Sequence, residues 1–276
     1  QGSFYATSET SSPIGEKDGY RAVEGDFTGS GIKGQMAAVT VTKYTSTSGL
    51  STFDLDLMLL DPTSTETPVD GSKSLLNQVS GIGNSTFEGE NFDIAPYQLQ
   101  NYLQITAGDY TGDGIDEIAV YIPETGHSRI EVYQLKMPLG TEAATIWQQA
   151  SSWELIWNFP LLEGKYVSNM VSLLSADLTY DGVCDLGITW GVYFGPSYKT
   201  ANQAIVLHGS KGGDPLQKST SISLKYGGTD IVRGAMAIGD VNGDGRDELI
   251  IGGQLVADID RNDLATRFLA MYMYQP

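Results

Sequence analysis

Cysteine, histidine, positive charge and long apolar runs are all scarce in this chain, and each scarcity removes a class of protein. One cysteine, Cys184, cannot close an internal disulfide, so the fold does not depend on oxidation. No histidine lies near it in sequence, which argues against a catalytic thiol and for a small side chain tolerated on a loop. The two histidines, His127 after Gly126 and His208 at the end of an apolar run, sit in no nucleophile or metal motif, and surface or structural roles suit them better. Sixteen Lys and Arg against 34 Asp and Glu give a net charge of −18, which repels a phosphate backbone and excludes nucleic acid as a partner. No stretch approaches the roughly 20 apolar residues of a membrane-spanning helix. No Gly-rich phosphate loop precedes a helix and no Gly-x-Ser-x-Gly elbow occurs. Gln1-Gly2-Ser3 reads as a processed or engineered start, with no signal peptide in the chain as written.

What the chain has is a repeat. With 41% hydrophobic residues, 33 Gly and 15 Tyr it is a packed, turn-rich protein and not a disordered one. One phrase recurs: a β-rich run, a loop opened by Asp and dense in Gly and Asp, and a second β-rich run. The clearest copy is Asp240-Val241-Asn242-Gly243-Asp244-Gly245-Arg246-Asp247-Glu248, and the next is Asp109-Tyr110-Thr111-Gly112-Asp113-Gly114-Ile115-Asp116-Glu117. A third begins at Asp177 and runs to Asp185, and an eroded one begins at Asp26.

The opening aspartates stand 83, 68 and 63 residues apart. Such periods exceed those of helical solenoids and fit one antiparallel, four-stranded sheet per repeat, as in a β-propeller blade. The expected fold is therefore all-β, one propeller domain over residues 1–276, with units at about 20–100, 101–166, 167–230 and 231–276. Alternating apolar residues predict strands at 102–107, 117–122, 129–135 and 154–159 in the second unit, and at 171–175, 186–190, 204–208 and 221–226 in the third. The first unit offers 20–24, 35–41 and 53–59, and the last offers 235–238, 248–251 and 267–274. Helix is expected to be scarce, with short turns at 75–79 and 143–149. A strand at Ser3-Phe4-Tyr5-Ala6-Thr7 could complete the last blade, so that four blades close on themselves; the alternative is four blades of a larger ring.

The loop chemistry can be built from its parts. Ca²⁺ takes six to eight oxygen ligands at about 2.3–2.6 Å. Alternate residues of a tight loop converge, so positions one, three, five and nine supply side chains, the Gly at six allows the reversal, and position seven gives its carbonyl. In the fourth loop these are Asp240, Asn242, Asp244, the carbonyl of Arg246, and Glu248. The same positions are Asp109, Thr111, Asp113, Ile115 and Glu117 in the second loop, and Asp177, Thr179, Asp181, Val183 and Asp185 in the third. Three carboxylates within nine residues repel one another without a cation. An EF-hand is excluded, because its position-twelve Glu is replaced by Val120, Ile188 and Ile251. The first loop offers Asp26, Thr28 and Ser30 but ends on Lys33 and Gly34, and is not expected to bind metal.

The stretch from Ile238 to Gly252 resembles the FG-GAP repeat, also described as the VCBS repeat, found in integrin α-subunit propellers and in many secreted or surface bacterial proteins. The likeness covers all four units, most specifically in the loops and their flanking strands. It implies a β-propeller with Ca²⁺ in the hairpin between the first two strands of a blade, two to three ions in all, outside the cell or on its surface. The Phe-Gly and Gly-Ala-Pro pieces are poorly kept, so integrin-like ligand contacts are not implied.

Plain alternatives stand beside these readings. Asn-Gly and Asp-Gly between apolar runs make good hairpins without metal, and it is three copies in matching phase that favour calcium. Thr111 and Thr179 are weaker ligands than Asn242, and Tyr180 replaces the position-four glycine of the other loops. Asp258, Asp260 and Asp263 have no glycine to shape them and read as a solvated loop. Trp147, Trp153, Trp157, Trp190, Tyr193, Phe194 and Tyr198 could stack on sugars, but such residues more often pack between blades. Two functions compete: a non-catalytic calcium-stabilised module that binds a protein or glycan, within a longer surface protein and without inserting into the membrane, and a carbohydrate-active enzyme or its accessory domain on the same scaffold.

Overall fold

A computed structural model describes residues 20–31, 34–45, 51–60, 86–87, 90–91, 103–122, 128–136, 152–160, 171–194, 199–212, 214–216, 218–223, 225–226, 229–256 and 267–274. The expected strand at residues 3–7, the turns at 75–79 and 143–149, the cluster Asp258, Asp260, Asp263, and His127, Trp147 and Tyr198 lie outside them.

Within the described residues all regular structure is β, in antiparallel sheets built from strands that are neighbours in sequence. The first sheet has β1 (Tyr20–Gly25), β2 (Gln35–Thr45) and β3 (Ser51–Leu60). A two-residue pair follows, β4 (Thr86–Phe87) with β5 (Glu90–Asn91). The second sheet orders β6 (Gln104–Gly108), β7 (Glu117–Ile122), β8 (Arg129–Lys136) and β9 (Ser152–Pro160). The third orders β10 (Ser172–Ala176), β11 (Asp185–Phe194), β12 (Lys199–His208) and β13 (Lys218–Ser223). The fourth orders β14 (Lys225–Tyr226), β15 (Thr229–Gly239), β16 (Glu248–Val256) and β17 (Arg267–Tyr274).

One strand expectation is corrected. The run 221–226 does not form a single strand of the third unit: β13 stops at Ser223, and Lys225 and Tyr226 pair with Asp230 and Thr229 of the fourth sheet. Its alternation continued across a sheet boundary that only the pairing partner reveals. Elsewhere the strands outrun their expected ends. Pairing carries β2 to Thr45 and β11 to Phe194, through residues whose neighbours across the sheet decide their state.

The sheets pack face to face in chain order. β7 is buried along its whole length because both of its faces are covered. Ile118, Val120 and Ile122 join Ala37, Val39, Leu55 and Leu57 in a core between sheets one and two. Their alternates Ala119 and Tyr121 join Ile130, Val132, Leu186, Ile188 and Trp190 between sheets two and three. β12 divides its side chains likewise: Ile205 and Leu207 face the second sheet, whereas Ala204 and Val206 meet Leu249 and Ile251 of the fourth. The leading strands stand side by side, β1 against β6, β6 against β10, and β10 against β15. Trp153 and Trp190 are buried in these cores and Trp157 packs against one of them, so their contacts are between sheets.

Candidate metal-binding loops

Each Asp/Gly loop joins the first two long strands of its sheet, at β1–β2, β6–β7, β10–β11 and β15–β16. The position-one aspartate organises the turn by accepting loop amides. Asp109 takes the N–H groups of Gly112 (2.6 Å), Asp113 (3.1 Å) and Gly114 (2.9 Å). Asp240 takes those of Gly243, Asp244 and Gly245 at the same three lengths. Asp177 accepts from Asp181 and Gly182, and Asp26 from Ser30 and Gly31. Positions four and six have positive φ in every loop, which glycine adopts without a steric penalty. Tyr180, at φ 58°, is the exception at position four.

Position-five carboxylates cap the loop from the other side: Asp113, Asp181 and Asp244 each accept the N–H of position seven, from Ile115, Val183 and Arg246 at 2.9 Å. Position nine then reaches back to position two. Glu117 accepts the Tyr110 N–H at 2.7 Å, Glu248 the Val241 N–H at 2.8 Å, and Asp185 the Leu178 N–H at 2.9 Å. All three carboxylates are buried.

In the second loop Asp109, Asp113 and Glu117 each place a carboxylate oxygen within 4.8 Å of the other two, the one such group among the described residues. Burial first, then Asp113 and Asp109, push the Glu117 carboxyl up to about 7, against the pull of the Tyr110 N–H and the Thr111 hydroxyl. Gln134 of β8 donates to both Asp113 Oδ2 (2.9 Å) and Glu117 Oε1 (3.1 Å). An N–H donor therefore bridges the carboxylates where a cation would. In the fourth loop the Asn242 side-chain N–H₂ bridges Asp244 Oδ2 (3.1 Å) and Glu248 Oε1 (2.7 Å) in the same way. Turning either amide over would present its oxygen to an ion. These residues fit a hard cation: carboxylate, amide, hydroxyl and carbonyl oxygens, with no nitrogen or sulfur ligand.

The third loop differs. Asp185 turns Oδ1 out of the loop to Gly209 N–H (3.1 Å) and His208 Nδ1 (3.3 Å), and Oδ2 accepts from Leu178 and from Thr179 N–H (3.0 Å). Burial raises its carboxyl, opposed by Gly209, His208 and Thr179. In the first loop Gln35, one residue past the expected position nine, stands in for the missing carboxylate. Its Oε1 accepts the Phe27 N–H at 2.9 Å and its Nε2 donates to Thr28 Oγ1 at 2.5 Å. Gln35, Gln134 and His208 were invisible to loop-by-loop reading, because two of them belong to other strands and the third is out of phase.

The loops also nest. Position-eight N–H groups donate to the position-one carbonyl of the preceding loop, Asp116 to Asp26 at 2.9 Å and Cys184 to Asp109 at 2.8 Å. Asp116 Oδ2 also accepts the Asp26 N–H at 2.7 Å. Position seven covers position four of the preceding loop. A Cβ added at Gly29 would lie 3.0 Å from Ile115 Cγ1, one at Gly112 would lie 3.0 Å from Val183 Cγ2, and the Arg246 guanidinium lies 5.1 Å above the Tyr180 ring. The Tyr180 hydroxyl donates to the Asp247 carbonyl at 2.6 Å. Position two plugs the core between a sheet and its successor: Phe27, Tyr110 and Leu178 are fully buried, whereas Val241 is 52% exposed. Cys184 is packed against this junction, and burial lifts its thiol to about 11, which leaves it unreactive. Neither the protein-family models nor the curated proteins compared with this chain give a match.

Proposed function

We propose that this chain is a calcium-binding β-propeller module of the FG-GAP/VCBS type, displayed outside the cell, that binds a protein or glycan partner without catalysing a reaction. The observation that carries the reading is the convergence of Asp109, Asp113 and Glu117 in a loop whose hydrogen-bond plan recurs in the fourth loop. Four sheets packed face to face in chain order, with equivalent loops nested along one end, support blades over a flat sandwich. On this reading the face carrying Val241 is where the ring closes or continues.

Calcium would be held by Asp109, Thr111, Asp113, the Ile115 carbonyl and Glu117, and by Asp240, Asn242, Asp244, the Arg246 carbonyl and Glu248. It would supply charge neutralisation and a fixed loop geometry. The strongly raised carboxyl in these loops, that of Glu117, is accounted for by burial among ligands, so it calls for no role as a general acid.

The test is thermal. A ligand bound by the native state alone stabilises by about 2.7 kcal/mol when free metal is a hundredfold above Kd. Adding calcium to stripped protein raises the melting temperature, with Mg²⁺ less effective because it demands stricter octahedral geometry. Asp240→Ala with Asp244→Ala removes much of the increment. Asp26→Ala lowers the baseline and leaves the increment intact. Identical melting with calcium and with chelator refutes the reading. A glycan array and pull-downs with the calcium-loaded protein then identify the partner.

A further inference from the structure

We propose that the third loop is a metal-free copy in which His208 and the turn that follows it take the place of the cation, so that among the four repeated loops calcium is held at the second and fourth. The inference rests on the calcium reading above and narrows it to particular residues. A carboxylate offers about four lone-pair positions on its two oxygens. Asp185 has all of them engaged: Oδ2 by the N–H groups of Leu178 and Thr179, Oδ1 by Gly209 N–H and His208 Nδ1. It is 1% exposed, so each of these donors also offsets the cost of burying a charge.

The donors differ in kind from those of the other two loops. Gln134 and Asn242 are carboxamides that can rotate and replace a donor with an acceptor. Gly209 N–H is backbone and cannot. A Cβ at Gly209 would collide with the Cys184 carbonyl oxygen, so the end of β12 is seated tightly against the third loop. His208 is held from its other side by Thr220 Oγ1, 3.0 Å from Nε2, which fixes the ring with Nδ1 directed at Asp185. Two residues beyond Gly209, Lys211 brings its ammonium to the Asp181 carbonyl at 3.0 Å, setting a positive charge beside the loop.

The experiment is a calcium stoichiometry on the full chain, stripped of metal and dialysed against ⁴⁵Ca²⁺ at saturating concentration, with folding of each variant checked by circular dichroism. Two ions per chain are expected. Asp113→Asn and Asp244→Asn, which keep the acceptor for the position-seven N–H, each reduce the count to one. Asp181→Asn and, as a second probe of the same loop, Asp177→Asn leave it at two. Three ions in the parent with loss of one in Asp181→Asn overturn this inference and leave the calcium reading standing. No bound calcium in the parent overturns the calcium reading itself.

Discussion

Glu117 is buried between two other carboxylates and is answered by the Tyr110 N–H, the Thr111 hydroxyl and the Gln134 amide. Its folded-state pKa of about 7 lies above the ordinary 4.5. Between those values the folded chain keeps a proton that the unfolded chain has released. In metal-free protein this contribution is therefore fully present below about pH 4.5 and is lost as pH rises through 7. On the proposed calcium reading the ion would select the carboxylate, so its apparent affinity is expected to rise over the same window. Comparing melting temperatures of stripped parent and Glu117→Gln at pH 5 and pH 8 checks this: the parent loses ground to the variant at the higher pH, and an unchanged gap disproves it. Tyr180 is a second residue whose state depends on a neighbour. A non-glycine residue at positive φ costs about 1–2 kcal/mol, and the hydroxyl bond to Asp247 and the contact with Arg246 offset that cost.

Strand β7 has the bounds its residues predict, and what covers its two faces is set by its neighbours. Glu-Ile-Ala-Val-Tyr-Ile is an unbroken buried strand, as its β-branched run predicts, yet its two faces belong to two different cores. The end of β6 is equally constrained. A Cβ at Gly108 would lie 2.9 Å from Cys184 Cβ, 3.0 Å from its sulfur and 3.1 Å from Ser175 Cβ. Gly108→Ala therefore overpacks the junction between the second and third loops and costs about 1–3 kcal/mol in chemical denaturation. Gly239 holds the same place before the fourth loop, with nothing within 4 Å. Gly239→Ala is expected to be neutral or slightly stabilising. A loss at 239 equal to that at 108 would mean that another surface covers this face.

At the scale of the molecule, the four sheets share their cores pairwise, so none can lose its packing alone. β7 and β12 each serve two clusters, and the nested loops add hydrogen bonds between sheets. Unfolding is expected as one cooperative transition, with far-UV circular dichroism and tryptophan fluorescence coinciding, since Trp153 and Trp190 report on different inter-sheet cores. Two separated transitions would show that the sheets are energetically independent. The row has two unequal ends. Phe27, Tyr110 and Leu178 each plug the space before the next sheet, while Val241 opens to solvent along with its loop neighbours Asn242 to Asp247.

Local chemistry made the all-β class, the three full loops and their phase legible from sequence, because Asp capping, left-handed glycines and strand alternation act within about ten residues. Tertiary structure decided everything that depends on a partner from another strand. It divided β13 from β14, assigned Gln134 to the second loop, and put Gln35 in the place of the missing ninth ligand. It also set the His208 ring beside Asp185. The reason is range. A loop's own amides choose its shape, but in the second and third loops donors to the position-nine carboxylate come from residues 17 to 24 positions away, and only pairing with the next strand brings them there.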